Sequence, residues 1–367
     1  MLVSLKQTKT NRPHAGRAMF ITAYFLVTLA IILATTSSLL ANPDQKRENL
    51  IDRVLQQLYT EAYDSALANC QLISKLWPQD PTASILQLSI YQTQMRIYRV
   101  RIFEAKFDSL IARAVEMADR QAKKNKTAQM LFMQGSARGM QALHRAKQGK
   151  IAKALKDAVF ALHYMKKALR KDRNFADPKL SLGLYQFWKS EKLSFGLGLR
   201  KNDRKQALRL IEDVWKRGRY LSMDAAFTLQ NIYLHKGDYS KALEINAWLV
   251  ERYPSHPSVL YHRALLFENL ERPSEALPCW MALIDRIRSF QAQSDGYLAE
   301  CYLHIAQIYE SMNASANGEK IEHALEQAAL YAERRDASIE LESSFQKSGE
   351  IHAAIKRLDK KYSTIEL

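Results

Sequence analysis

The chain has 367 residues, 47% of them apolar, and carries 54 Lys or Arg against 38 Asp or Glu for a formal charge of +16. That is enough apolar material for a sizeable core. With only 12 Gly and 9 Pro, and no run of alternating β-branched residues bounded by turn signals, a sheet protein is excluded in favour of an all-helical one.

Residues 1–17 hold Lys6, Lys9, Arg12 and Arg17 and no acid, and the apolar run Ala18 to Ala34 follows. That order is the one found in signal peptides. Small residues between Thr35 and Ala41 offer cleavage after Ser37 or Ala41. The stretch 18–41 is also long enough to span a bilayer as a retained anchor. Both readings predict a leader over residues 1–41, an exported chain in the periplasm or cell envelope, and a helical body over 42–367.

Leu50, Val54, Tyr63, Ala66, Cys70, Ile73 and Pro78 then fall into a pattern of two short amphipathic helices. Between Gln94 and Asp119, the apolar and basic residues Arg96, Tyr98, Arg99, Arg101, Phe103, Phe107 and Val115 predict longer helices. Charge concentrates next: residues 120–219 hold 26 Lys or Arg and 7 Asp or Glu, whereas residues after Arg219 hold 15 and 21. Lys147, Lys150, Lys153 and Lys156 recur at intervals of three, which on one helix makes a drifting cationic stripe. Opposite it, Ala152, Leu155, Val159, Leu162 and Met165 predict the buried face. A stripe this dense is either a solvated face or a contact for an anionic surface such as lipid headgroups, cell-wall polymer or an acidic protein.

Leu182, Gly183, Tyr185 and Trp188 predict one helix, and Ala207, Ile211 and Val214 a second that ends near Tyr220. Between them Phe195, Gly196, Leu197, Gly198 and Arg200 read as an inserted loop of about a dozen residues, of the kind that carries binding on helical scaffolds. Tyr185, Trp188, Phe195, Leu197 and Arg200, together with Lys147, Lys150, Lys153 and Lys156, are the candidate partner contacts.

The most regular stretch follows. Between Met223 and His256 the markers are Leu229, Tyr233, Gly237, Tyr239, Ala242 and Pro254, and between Pro257 and Phe290 they are Ala264, Phe267, Pro273, Ala276 and Trp280; at an offset of 34 residues Tyr233 matches Phe267 and Ala242 matches Ala276. A fixed period of this length marks stacked helical hairpins. The pattern resembles the tetratricopeptide repeat, in which helix A carries a small residue and an aromatic and helix B an Ala and a large apolar residue. It covers 223–290 closely, the segments 45–80 and 180–220 less so, and leaves 81–220 as a divergent, elongated part. After Phe290, Ala306 with Tyr309 and Ala324 with Ala328 predict a late hairpin over 291–335 with a loop insertion between Met312 and Lys320.

The resemblance implies a right-handed α-solenoid and a non-enzymatic scaffold that holds a protein or peptide in its groove, and it carries over no catalytic residue. No phosphate loop, HExxH or nucleophile elbow is present, and Gly196 and Gly198 lack the third glycine of a dinucleotide site. His256 and His262 are not spaced as a ligand set, and Cys70, Cys279 and Cys301 show no metal spacing. Neither a cofactor, a nucleic acid nor a small-molecule substrate is expected. An enzyme would need a tight cluster of buried carboxylates or histidines in the folded array. Cys279 and Cys301 read as small buried residues, with a disulfide as the alternative for an exported chain.

Overall fold

The computed structural model describes residues 43–197, 201–342 and 347–363. The predicted leader over 1–41 lies outside them, and no described helix is long and apolar enough to cross a membrane. The chain divides into two compact units, Met1–Asp52 and Arg53–Leu367. Of the first, residues 43–52 are described; they are the opening turns of α1 (Pro43–Tyr59), where Arg47 pairs with Glu48.

Among the described residues of the second unit, the regular structure is all helix apart from one isolated antiparallel bridge, Val100 with Glu340. After α1 come α2 (Tyr63–Leu76), α3 (Thr82–Tyr98), α4 (Glu104–Lys124), α5 (Ala128–Lys147), α6 (Ile151–Lys171) and α7 (Pro178–Leu197). Then follow α8 (Lys201–Arg217), α9 (Ser222–His235), α10 (Tyr239–Arg252), α11 (Pro257–Asn269), α12 (Pro273–Ser289), α13 (Asp295–Asn313), α14 (Gly318–Arg334) and α15 (Ser348–Ser363). Each helix from α2 onward packs on the next, the arrangement of stacked hairpins that the 34-residue period predicts.

The register is kept by the turns. Glu61, Gly149, Gly237 and Glu271 each take a left-handed conformation, with φ between 56° and 72°. Five residues after each stands an alanine of the following helix: Ala66, Ala154, Ala242 and Ala276, all buried. The small side chain lets helix B lie close to helix A, and the aromatics Tyr233, Phe267 and Trp280 fill the space beside it. Gly183 does the same for α7. A Cβ there would stand 2.8 Å from Ile211 Cγ1 and 3.0 Å from the Ala207 carbonyl.

Two expectations need correction. The inserted loop after Trp188 is not a loop as far as Leu197; α7 continues through it, and α8 begins at Lys201. The late hairpin has no long insertion either: α13 and α14 take up the extra residues, leaving only 314–317 between them. Between residues 94 and 119 α3 ends at Tyr98, Arg99 takes φ 55° and ψ 43°, and α4 begins at Glu104. The helices α4 to α7 are 20 or 21 residues long against 13 or 14 for α9 to α11. The segment after α14, for which the repeat pattern made no prediction, forms α15 against α13 and α14, so that Ile351, Ile355 and Leu358 close the apolar end of the array.

Candidate functional site

The basic middle of the chain is built around its few acids. Asp157 on α6 is buried and pairs with Arg145 and, at 3.7 Å, with Arg138, both on α5; Arg138 also holds Asp119. Asp213 takes Lys179 at 2.6 Å and Arg217 at 2.6 Å, and the hydrogen bonds from Arg217 and Lys179 lower its pKa to about 2. Asp177 is buried and accepts the backbone N–H groups of Arg219 at 3.1 Å, Tyr220 at 2.8 Å and Leu221 at 2.8 Å, fixing the entry into α9. Asp157 and Asp177 are thus spent inside the fold and Asp213 on its two cations, while most lysines between 123 and 171 are exposed.

The predicted lysine stripe is divided. Lys147 ends α5, Gly149 makes the left-handed turn, Lys150 caps the start of α6, and only Lys153 and Lys156 lie on α6 itself. None of the four forms an ion pair among the described residues. Lys147 is exposed by area, yet desolvation, helped by Arg101 and Arg96 against Glu104, lowers its pKa.

The predicted buried face of α6 holds only in part: Met165 is buried as expected, but its companions are Ala154, Asp157, Ala161 and Ala168, and Gly135 of α5 leaves the room that the Met165 side chain and the Ala161 backbone occupy. Leu155 and Val159 are left 63% and 66% exposed, beside Ile151 at 54%. These three stand in one row at intervals of four. Leu143 on α5, Phe160 on α6 and Tyr185 and Trp188 on α7 are exposed as well. Seven of the fourteen large exposed hydrophobics among the described residues therefore fall between 143 and 188, within the most basic segment. Trp188 packs edge-on against buried Phe187, which holds its ring outward, and Lys189 stands over Tyr185. Phe195 and Leu197 lie at the end of α7, but their side chains, like the whole of Arg200, fall outside the described residues.

A second assembly lies on α11 and α13. Much of that face is covered by the chain itself. The connection from α3 to α4 crosses it: Tyr98 stacks on Phe290 with ring centres 3.7 Å apart, and Arg99 reaches Glu300 at 2.6 Å. The Arg99 guanidinium lies 3.5 Å over the ring of Tyr297 and 5.1 Å from that of Tyr261, whose hydroxyl donates to Glu300 at 2.6 Å. Burial opposes the charge of Glu300, but Arg99 outweighs it and holds the carboxyl below its usual range. Next to it His304 stacks on Trp280 and meets Glu268 at 2.9 Å, while the Trp280 indole also donates to Glu268. Burial disfavours the His304 cation, yet the bond to Glu268 raises its pKa. Of Glu268, Glu300 and His304 only Glu300 is fully buried; it is held by Arg99 and the Tyr261 hydroxyl, while Glu268 is shared between the Trp280 indole N–H and His304.

This network went unseen in the sequence because its hydrogen bonds join residues 12 to 201 apart. The one local signal is the break between Tyr98 and Phe103, where aromatic and arginine residues alternate. His256 and His262 are buried core histidines, and Cys70, Cys279 and Cys301 are buried free thiols, with no bridge between Cys279 and Cys301.

No protein-family model matches the sequence, and no curated protein matches it. Among solved structures, the chain is similar to one in the crystal structure of the APC/C hetero-tetramer Cut9-Hcn1, with a TM-score of 0.50 and 12% identity over 86% of this chain and 48% of that one. The chain thus spans about half the length of that neighbour. It is less similar to a tetratricopeptide repeat protein from Parabacteroides merdae, with a TM-score of 0.35 and 14% identity over 87% of this chain and 99% of that one. Yeast Tom70 gives a TM-score of 0.35 and 11% identity over 94% and 87%. At such identities the likeness to the Cut9-Hcn1 chain is one of fold alone.

Proposed function

We propose that the protein is a non-enzymatic binding scaffold that docks an acidic protein partner on the outer face of α5, α6 and the middle of α7. The observation that carries this reading is the coincidence of unpaired lysines with an exposed aliphatic row and two exposed aromatics. Aromatic and aliphatic anchors supply the contact area on such a surface, and the cations supply steering and orientation. Asp157, Asp177 and Asp213 of the same segment are taken up by internal partners, and the segment's 26 cations outnumber its 7 acids.

The N-terminal basic run followed by the apolar stretch 18–41 supports a setting in the cell envelope or periplasm, with the scaffold either freed by cleavage or held by that stretch.

The test is crosslinking in the native envelope fraction, followed by pull-down with Leu155→Ser/Val159→Ser and with Trp188→Ala. The acidic partner is expected to be recovered with the parent and lost at least about ten-fold with the variants, at unchanged helical content. Recovery of only cytoplasmic proteins overturns the setting. Undiminished capture by both variants overturns the surface.

A further inference from the structure

The face formed by α11 and α13 holds a cavity shaped for one chemical group. Its floor is Glu300, fully buried, and its walls are Tyr261 and Tyr297, each 3% exposed. A carboxylate between two aromatic faces is complementary to a guanidinium, which is planar, weakly hydrated, and able to pair with the one while stacking on the others. In this structure the guanidinium is Arg99 of the same chain.

The segment that delivers it is bound the way a peptide is bound. Arg99 is the left-handed C-cap of α3, its N–H on the Met95 carbonyl, so the chain turns off the helix at this residue. Its carbonyl accepts the N–H of Leu341 at 2.7 Å, and the N–H of Arg101 donates to the Ile339 carbonyl at 2.8 Å, a short stretch of strand-like pairing. On the preceding side Tyr98 lies flat on Phe290. The site is not fully used by this segment: Tyr261 and Glu300 also border an open cleft of about 440 Å³ lined by His235, Leu265, Asn269, His304 and Glu350. A longer ligand entering at Glu300 would have room to continue along the A helices.

We infer that the A-helix face of the C-terminal hairpins is an arginine-recognition site for an extended peptide segment, and that residues Tyr98 to Arg101 occupy it in cis until a partner carrying an arginine beside an aromatic residue displaces them. This site is separate from the outer face of α6 and stands or falls independently of it.

The experiment uses the full chain with Arg99→Ala and a blocked peptide of sequence Ile-Tyr-Arg-Val-Arg-Ile, which copies residues 97–102. Saturable binding to the variant is expected, weaker by at least about ten-fold when the first arginine of the peptide is replaced by citrulline, which has the same shape without the charge. Adding Glu300→Gln to the variant is expected to abolish it, and the parent, with its own arginine in place, is expected to bind at least about ten-fold more weakly than the variant. Should Arg99→Ala not fold, Arg99→Lys serves in its place, since an ammonium cannot span the carboxylate and both rings. Failure of the folded variant to bind, equal binding of the citrulline peptide, or equal binding by the parent each overturns the inference.

Discussion

His256 shows what burial does to a single titratable residue. It precedes Pro257 at the start of α11, its ring lies 5.5 Å from that of Phe227, and it is 3% exposed. Desolvation, followed by the cations of Arg96 and Arg286, lowers its pKa to about 3, and the same desolvation lowers His262 to about 4. Both are therefore neutral in the folded chain where the unfolded chain, with an ordinary histidine pKa of about 6.5, begins to bind protons. Below that pH the native state holds fewer protons than the unfolded one, so stability is fully present above about pH 6.5 and is lost as the pH falls. The parent is expected to lose about 1 to 2 kcal/mol more than His256→Leu between pH 7 and pH 5, read from urea midpoints. Equal losses would mean that His256 is already protonated, or already exposed, in the native state.

The hairpins were legible because their rules are local. Ala242 and Ala276 were placed from the 34-residue offset, and Ala66 from a distance to Pro78 equal to that from Ala242 to Pro254. The structure adds that a left-handed residue stands five positions before each, and that the same holds for Ala154 after Gly149, where the sequence misleads. Apolar size points to Leu155 and Val159 as core, whereas the face of α6 that turns inward carries Ala154, Asp157, Ala161, Met165 and Ala168, with Met165 seated against Gly135 of α5. Volume between helices, not hydrophobicity, decides which face is buried. Two glycines test this at the level of the helix pair. An added Cβ at Gly183 would meet the Ala207 carbonyl at 3.0 Å and Ile211 at 2.8 Å, and a backbone oxygen cannot step aside. At Gly139, on α5, the nearest atom is the Ala161 Cβ at 3.9 Å, an ordinary contact. Gly139→Ala is thus expected to gain up to about 1 kcal/mol from helix propensity. Gly183→Ala, with the same propensity gain, is expected to lose about 1 to 2 kcal/mol to the clash. Thermal or urea unfolding of the two variants reads the opposite signs directly.

Across the unit Arg53–Leu367, the arrangement departs from a simple stack in which each hairpin touches only its neighbours. Tyr59 donates to Asp224 at 3.0 Å, Glu61 pairs with Arg286, Tyr98 stacks on Phe290 and Arg99 pairs with Glu300, joining the first helices to hairpins 160 to 230 residues later. Apart from the break between Tyr98 and Phe103, these pairs have no local sequence signal, which is why the cis-occupied site was invisible while the repeat was plain. Their consequence is cooperative. A linear array opens from either end in small steps, each governed by nearest-neighbour interfaces, whereas long-range pairs oblige α3 and α11 to α13 to open together. Hydrogen exchange followed by mass spectrometry is expected to give α3 and α13 the same opening free energy in the parent. In Tyr98→Ala, which removes the stack on Phe290 and loosens the seat of Arg99, α3 is expected to open at least about ten-fold more often than α13. Should α3 already exchange faster than α13 in the parent, the contacts between them add no cooperativity, and the array behaves as a chain of independent hairpins.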